Sequence, residues 1–179
     1  MSSVYFGGSR NLTASSRLIG QVVQAVQAAG HSVHVGCQFG ADQQVIAWSL
    51  LSGLPVSSLV VFAVSATLAN SPHHVQQAHY AGARLMLGAG GQSAPIPARY
   101  LLRSIAAFQG CSMAVFFEPG PGSLAVAREA VNQGLQVFAF GEQPAPIPSQ
   151  AGAWVFNFLV IGSQAFQCWS WSSAQLSLF

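Results

Sequence analysis

Three stretches of small residues follow apolar runs in this chain: Gly7-Gly8-Ser9-Arg10, Gly36-Cys37-Gln38-Phe39-Gly40-Ala41-Asp42 and Pro119-Gly120-Pro121-Gly122-Ser123. Glycine lets backbone N–H groups come close to an anion, and a helix N-terminus adds a partial positive charge. Arg10 supplies a planar fork suited to phosphate, and Ser123 stands where a hydroxyl either caps the next helix or bonds a ligand oxygen. Glu118, just before the third turn, is placed to reach a ribose hydroxyl. One such turn alone reads as a tight bend, with Asp42 as a helix cap. Three of them point to a shared pocket that includes Gly7, Gly8, Ser9, Arg10, Gly40, Ala41, Asp42, Glu118, Gly120, Gly122 and Ser123. The sequence contains neither G-x-G-x-x-G nor G-x-x-x-x-G-K-[ST], so a nicotinamide site or a P-loop has no support.

Other chemistries have little material. His31, His34, His73, His74 and His79 make no i,i+4 pair, and no cysteine lies at zinc-finger spacing, so no metal site is expected. A Ser/His/Asp triad would need Asp42, the sole aspartate, and nothing resembles a nucleophile elbow. Four acidic side chains leave almost nothing for paired-carboxylate catalysis. No catalytic residue is assigned and no cofactor is required, a nucleotide ligand being the open possibility.

The turns need a scaffold. SVYFGGSRNL reads as a strand, SSRLIGQVVQAVQAAGH as a helix closed by Gly30, SVHVG as a strand, and the segment from about Asp42 to Gly53 as a helix. SSLVVFAVS and RLMLGAG read as strands flanking a short helix in SPHHVQQAHYAGA. ARYLLRSIAAFQG, SMAVFFEPGPG, SLAVAREAVNQG and LQVFAF continue as helix, strand, helix, strand. A proline-rich loop, the apolar run AWVFNFLVIG (read as a buried strand) and a Ser-rich tail follow. Short apolar strands alternating with helices describe a mainly parallel sheet covered on both faces. The expected fold is α/β, a Rossmann-like three-layer sandwich over residues 1–168, with residues 169–179 as a tail.

Composition sets the partners. Apolar residues make up 51% of the 179 and charged residues 6%, with six arginines, no lysine and a net charge of +2. That balance argues against a broad electrostatic footprint for nucleic acid. It also leaves little repulsion between copies, so a homo-oligomer is expected. No apolar run reaches membrane-spanning length unbroken, and the N-terminus lacks signal-peptide order. Cys37, Cys111 and Cys168, odd in number and widely spaced, suit a reducing cytoplasm. Trp154, Trp169 and Trp171 read as core or oligomer contacts before base-stacking platforms.

The run GGSRNLTASSRLIGQVVQAVQAAGHSVHVGCQFGADQQVIAWSL, followed by PARYLLRSIAAFQGCSMAVFFEPGPGSLAVAREAVNQGLQVFAF, resembles the Rossmann core of the DNA-processing A proteins (DprA/Smf). The likeness rests on a Gly-Ser-Arg turn, G-x-x-x-G-x-D, an arginine-containing helix and the Gly-Ser-Leu turn, in order over roughly residues 4–150. The wider group is the SLOG superfamily, with its nucleotide phosphoribohydrolases and nucleotide sensors. The resemblance implies binding of single-stranded DNA or a nucleotide, with Arg99 and Arg103 as DNA contacts. Two departures stand out. The basic helix motif is reduced to Arg99-Tyr100-Leu101-Leu102-Arg103, and Val126 stands where the hydrolases carry a catalytic glutamate three residues after the turn's hydroxyl. The reading therefore leans away from an enzyme, Glu129 being assigned to the solvated face of its helix.

The final residues, Gln175, Leu176, Ser177, Leu178 and Phe179, resemble the peptide by which bacterial replication proteins dock on the DNA polymerase sliding clamp. Leu178 and Phe179 would anchor in an apolar pocket, with Leu176 as a third contact and Gln175 at the groove edge. The whole is read as a cytoplasmic adaptor of DNA replication, recombination or a mobile element. The alternative is a nucleotide-binding sensor or nucleotide-processing enzyme with a structural tail.

Overall fold

The computed structural model describes residues 2–13 and 15–173. The elements run β1 (Ser3–Gly8), α1 (Ser16–Ala28), β2 (Ser32–Val35), α2 (Ala41–Leu51), a 3-10 turn (Val56–Ser58), β3 (Leu59–Phe62), α3 (His73–Tyr80), β4 (Arg84–Met86), α4 (Ile96–Ala107), β5 (Cys111–Phe117), α5 (Pro121–Asn132), β6 (Gln136–Phe140), β7 (Gly152–Ile161) and β8 (Gln164–Ser173). One sheet takes the order β4-β3-β2-β1-β5-β6-β8-β7. The first six strands are parallel, and β8 joins β6 antiparallel, with β7 outermost. The α/β three-layer reading holds.

The central strands form where they do because both of their faces are covered. Val4, Phe6, Val33, Val35, Val61, Val115 and Phe117 pack with α1 and α2, while Tyr5, Val60, Phe62, Ala114 and Phe116 turn to α4 and α5. α1 starts at Ser15, whose side chain accepts from the Arg17 N–H, and presents Ile19, Val22, Val23 and Val26 to the core. The strand order reverses between β1 and β5, and this switch point is where an open parallel sheet leaves a crevice at its carboxyl edge.

The C-terminal part departs from expectation twice. AWVFNFLVIG is a strand but not a buried one: Val155, Phe156, Phe158 and Val160 are exposed, because β7 is an edge strand whose outer half no helix covers. A continuous apolar run reads the same in a sheet's middle and at its border. The expected boundary at 168/169 also moves, since β8 continues to Ser173. Trp171 packs edge-on against Trp154 at 5.4 Å and Trp169 against Phe156 at 5.5 Å, so the tail's first five residues belong to the sheet.

Gly20 in mid-α1 marks a close approach. An added Cβ would stand 2.5 Å from Trp48 Cδ2 of α2, whose indole N–H donates to Ser16 Oγ at 2.9 Å. Gly20→Ala gains about 1 kcal/mol of helix propensity, but overpacking against a ring costs about 1–3 kcal/mol. The expected net is a lower urea midpoint at unchanged m-value; a raised midpoint would show that the two helices separate freely.

Candidate functional site

The three glycine turns meet at the switch point and interlock. Ser9 N–H donates to Phe117 O at 2.9 Å, joining the ends of β1 and β5, and Ala41 N–H donates to Ser9 O at 3.0 Å. Gly40, at φ 83°, lies so close to Ser9 and Arg10 that a side chain there would strike their backbone. Gly8, at φ 154°, likewise leaves no room for a Cβ beside the Phe117 carbonyl. Ser123 does not cap α5: its hydroxyl donates to Gly8 O at 2.8 Å and pins the third turn to the first. Ser9 Oγ accepts from Asn11 N–H at 3.0 Å, closing the loop that carries exposed Arg10.

Around these turns lies a cavity of about 730 Å³, lined by Gly7, Gly8, Ser9, Arg10, Gly120, Gly122 and Ser123. Those residues were legible from spacing. Its remaining wall includes Tyr5, Asn11, Gln38, Phe39, Tyr100, Ser104 and Val126. Phe39 stands within the quoted glycine turn and Tyr100 between the two helix arginines, so both had a signal in their position. α5 begins at Gly120 without a side-chain cap, and a Cβ on Gly120 or Gly122 would meet nothing within 4 Å. This helix start faces open space, the arrangement that receives an anion. Phe39, 64% exposed, stands edge-on to His74 at 5.6 Å.

The pocket's floor corrects the reading of Asp42 and Arg103. Arg103 Nη1 donates to Asp42 Oδ2 at 3.1 Å, and both side chains are more than nine-tenths buried. The Gln38 N–H donates to the same carboxylate oxygen at 3.1 Å. Gly36 makes room for the pair, since a Cβ there would overlap the guanidinium. Burial, the largest single influence, opposes the charge on Arg103, but Asp42, Tyr5 and Cys37 together outweigh it and raise the pKa, so the arginine stays a cation. Asp42 is therefore the internal counter-ion of Arg103, and both side chains lie on the cavity wall. Tyr5 beside it donates to Ser104 Oγ at 3.1 Å, and burial pushes its phenol up to about 12, leaving it neutral.

Three further assignments change. Arg99 holds the preceding loop, donating from Nε to Ala94 O at 2.6 Å and from Nη2 to Gln92 O, so its fork is bonded within the chain. Glu118, at φ 46°, lies outside the pocket lining. Its two oxygens accept from Thr13 N–H and Thr13 Oγ1, each at 2.7 Å, tying the loop after β1 to the end of β5. Gly40 and Ala41 pack against the first turn and do not line the cavity. Val126 does line it, so the pocket wall is apolar where the hydrolase glutamate would stand, and Glu129 pairs with Arg128 at 2.7 Å. Among the described residues no helix is long and apolar enough to cross a membrane. Gln175–Phe179 lie outside the described residues.

The sheet order defines a Rossmann-like α/β protein with a cavity at the strand ends. No family model matches the chain, and no curated protein matches it either. Among solved structures it is similar to DNA processing protein A (DprA) from Streptococcus pneumoniae, with a TM-score of 0.60 and 20% sequence identity. The match covers 83% of this chain and 52% of that one, so the chain spans about half the length of its structural neighbour. The resemblance read from the glycine turns thus holds at the level of the fold.

Removing one partner of the buried pair should be costly. Asp42→Ala leaves a buried cation uncompensated, and the expected loss is about 3–5 kcal/mol in urea unfolding. Adding Arg103→Met to that variant should recover at least half of it. A double variant no more stable than the single would mean that the arginine is held by something other than the aspartate.

Proposed function

We propose that this chain is a DNA-processing adaptor whose pocket takes a phosphate-bearing ligand, single-stranded DNA or a nucleotide, and whose Gln175–Phe179 segment docks on a bacterial sliding clamp. The observation that carries the ligand half is the switch-point cavity itself. Arg10 and the uncapped start of α5 border it, Phe39 and Tyr100 offer ring faces, and the one carboxylate on its wall is already paired with Arg103. Phosphate meets donors and a cation there, and a base meets an aromatic surface. The structural neighbour's name, DNA processing protein A, agrees with this class of ligand.

The clamp half rests on the sequence motif, which supplies three apolar anchors and a polar edge residue in five positions. A single short peptide that orders on binding gives modest affinity. Binding without chemistry fits the pocket wall, where Val126 takes the place of a general-acid or general-base side chain.

Two measurements test the halves separately. Fluorescence anisotropy with a labelled oligothymidylate, alongside thermal shift with free nucleotides, should show a ligand whose affinity falls at least about tenfold in Arg10→Ala, the loss expected of one charge-assisted contact. Equal binding by the variant would place the ligand elsewhere, and stabilisation by a free nucleotide without oligonucleotide binding would favour the sensor. Calorimetric titration of a bacterial sliding clamp with the intact protein should give micromolar binding that Leu178→Ala/Phe179→Ala abolishes; unchanged binding by that variant would sink the docking role.

A further inference from the structure

A second cavity, of about 180 Å³, shares no residue with the first and is lined by His34, Val60, Phe62, Arg84, Met86 and Gln109. The sheet register builds it. His34 pairs with Val60 and Val60 with Arg84, so the three stand in one cross-strand row. Side chains alternate along a strand, so Phe62 and its partner Met86 share the face of Val60 and Arg84. Val60 and Phe62 are buried and form an apolar floor, while Arg84 and Met86, on the border strand β4, are exposed at the rim.

His34 sets the chemistry of the inner end, and it is more than nine-tenths buried. Its Nδ1 lies 2.8 Å from Ala107 O. A carbonyl only accepts, so Nδ1 carries the ring proton and Nε2 keeps a lone pair. Burial, helped by the charge of Arg84, holds the pKa below the ordinary histidine value against that backbone bond, so the ring is neutral near pH 7. Among the described residues Nε2 has no hydrogen-bond partner, which leaves a buried acceptor beside the cavity. Cys111 does not turn this into a thiolate or metal site: its thiol donates to Ala107 O at 3.3 Å, and burial pushes its pKa up to about 12. At the outer end Arg84 makes no ion pair among the described residues, so its guanidinium is open to an anion.

We infer that this cavity binds a small aromatic acid that carries a hydroxyl or ring N–H opposite its carboxylate. The ring lies on Val60 and Phe62, the O–H or N–H donates to His34 Nε2, and the carboxylate takes the Arg84 fork. Each feature of the cavity selects one feature of the ligand. A lone acceptor asks for a donor, an unpaired guanidinium for an anion, and an apolar floor for a flat apolar body. The span agrees: neighbouring strands lie about 4.8 Å apart, so the backbones of His34 and Arg84 are about 10 Å apart with Val60 between them. The size agrees too. Pockets for drug-sized ligands hold about 300–1,000 Å³, so about 180 Å³ takes a single ring and neither a nucleotide nor a peptide. An inorganic anion would meet Arg84 but leave the floor in water. The inference stands independently of what the switch-point cavity holds.

The probe is 4-hydroxybenzoate, titrated into the intact protein by calorimetry and by amide nuclear magnetic resonance. Saturable sub-millimolar binding is expected, as the few atoms of a one-ring ligand allow. Shifts should centre on Val60, Arg84 and Gln109. Benzoate, which has nothing to give His34, should bind at least about threefold more weakly. Arg84→Ala, a change at an exposed rim, should weaken 4-hydroxybenzoate at least about tenfold. The absence of saturable binding at millimolar ligand would overturn the inference. So would equal binding of benzoate, equal binding by Arg84→Ala, or shifts centred on Gly8 and Gly122, which would put the ligand in the switch-point cavity.

Discussion

The contact on which the site depends is the ion pair between Asp42 and Arg103. It joins the first turn of α2 to the middle of α4 across the carboxyl end of the sheet, and the two residues are 61 apart in the chain. Charges buried this deeply are tolerated when paired and further hydrogen-bonded, and the Gln38 N–H supplies one such bond. The surroundings conform to the pair: Gly36 gives it room, and Gly90 lets the loop before α4 pass against the Arg99 carbonyl. Gln38, fixed by Asp42, and Tyr100, whose ring lies 5.8 Å from the Arg103 guanidinium, are both pocket walls. Shape in the cavity thus follows from charge beneath it.

This arrangement also sets the electrostatics a ligand meets. An arginine on a pocket floor would normally be counted as an anion contact, but Arg103 is neutralised in place, leaving Arg10 on its loop and the start of α5 as the positive features at the rim. Arg103 Nε has no hydrogen-bond partner in the buried floor. Glu118, which would repel phosphate if it faced inward, is turned out and held by both Thr13 groups. That clamp and the Ser123–Gly8 bond fix the loop that carries Arg10 from two sides, so the cation is presented by a braced turn.

How much of this was legible follows from what each signal depends on. The parallel core was readable because strands covered on both faces must be apolar throughout, and β3, all four residues buried, shows it plainly. Gly8 and Gly40 were readable because a backbone that approaches its neighbour cannot carry a Cβ, a rule written into residue type, whereas Gly120 and Gly122 border open space. The arginines were not. A helix segment with Arg99 and Arg103 has the same composition whether its forks reach solvent, a loop carbonyl or a buried aspartate, and the partner that decides lies elsewhere in the chain. Glu118 failed for the same reason, its fate being settled by Thr13, 105 residues away. The exposure of β7 was hidden too, since an apolar run records that a surface is to be covered but not by what.

The low charge of the chain connects these outcomes. With six arginines and four acidic residues, each ionic group has few possible partners, and the fold spends Asp42 with Arg103 and Glu129 with Arg128 internally. A surface with so few charges cannot choose partners by long-range attraction, which acts through net charge and its clustering. Recognition must instead use shape, apolar contact and short-range hydrogen bonds. The Arg10 rim and the Gln-Leu-Ser-Leu-Phe motif of the proposed function are of that kind. Any DNA held by this chain is therefore held by few phosphate contacts per copy, and its binding should depend weakly on salt, because each phosphate neutralised contributes one increment to the salt slope.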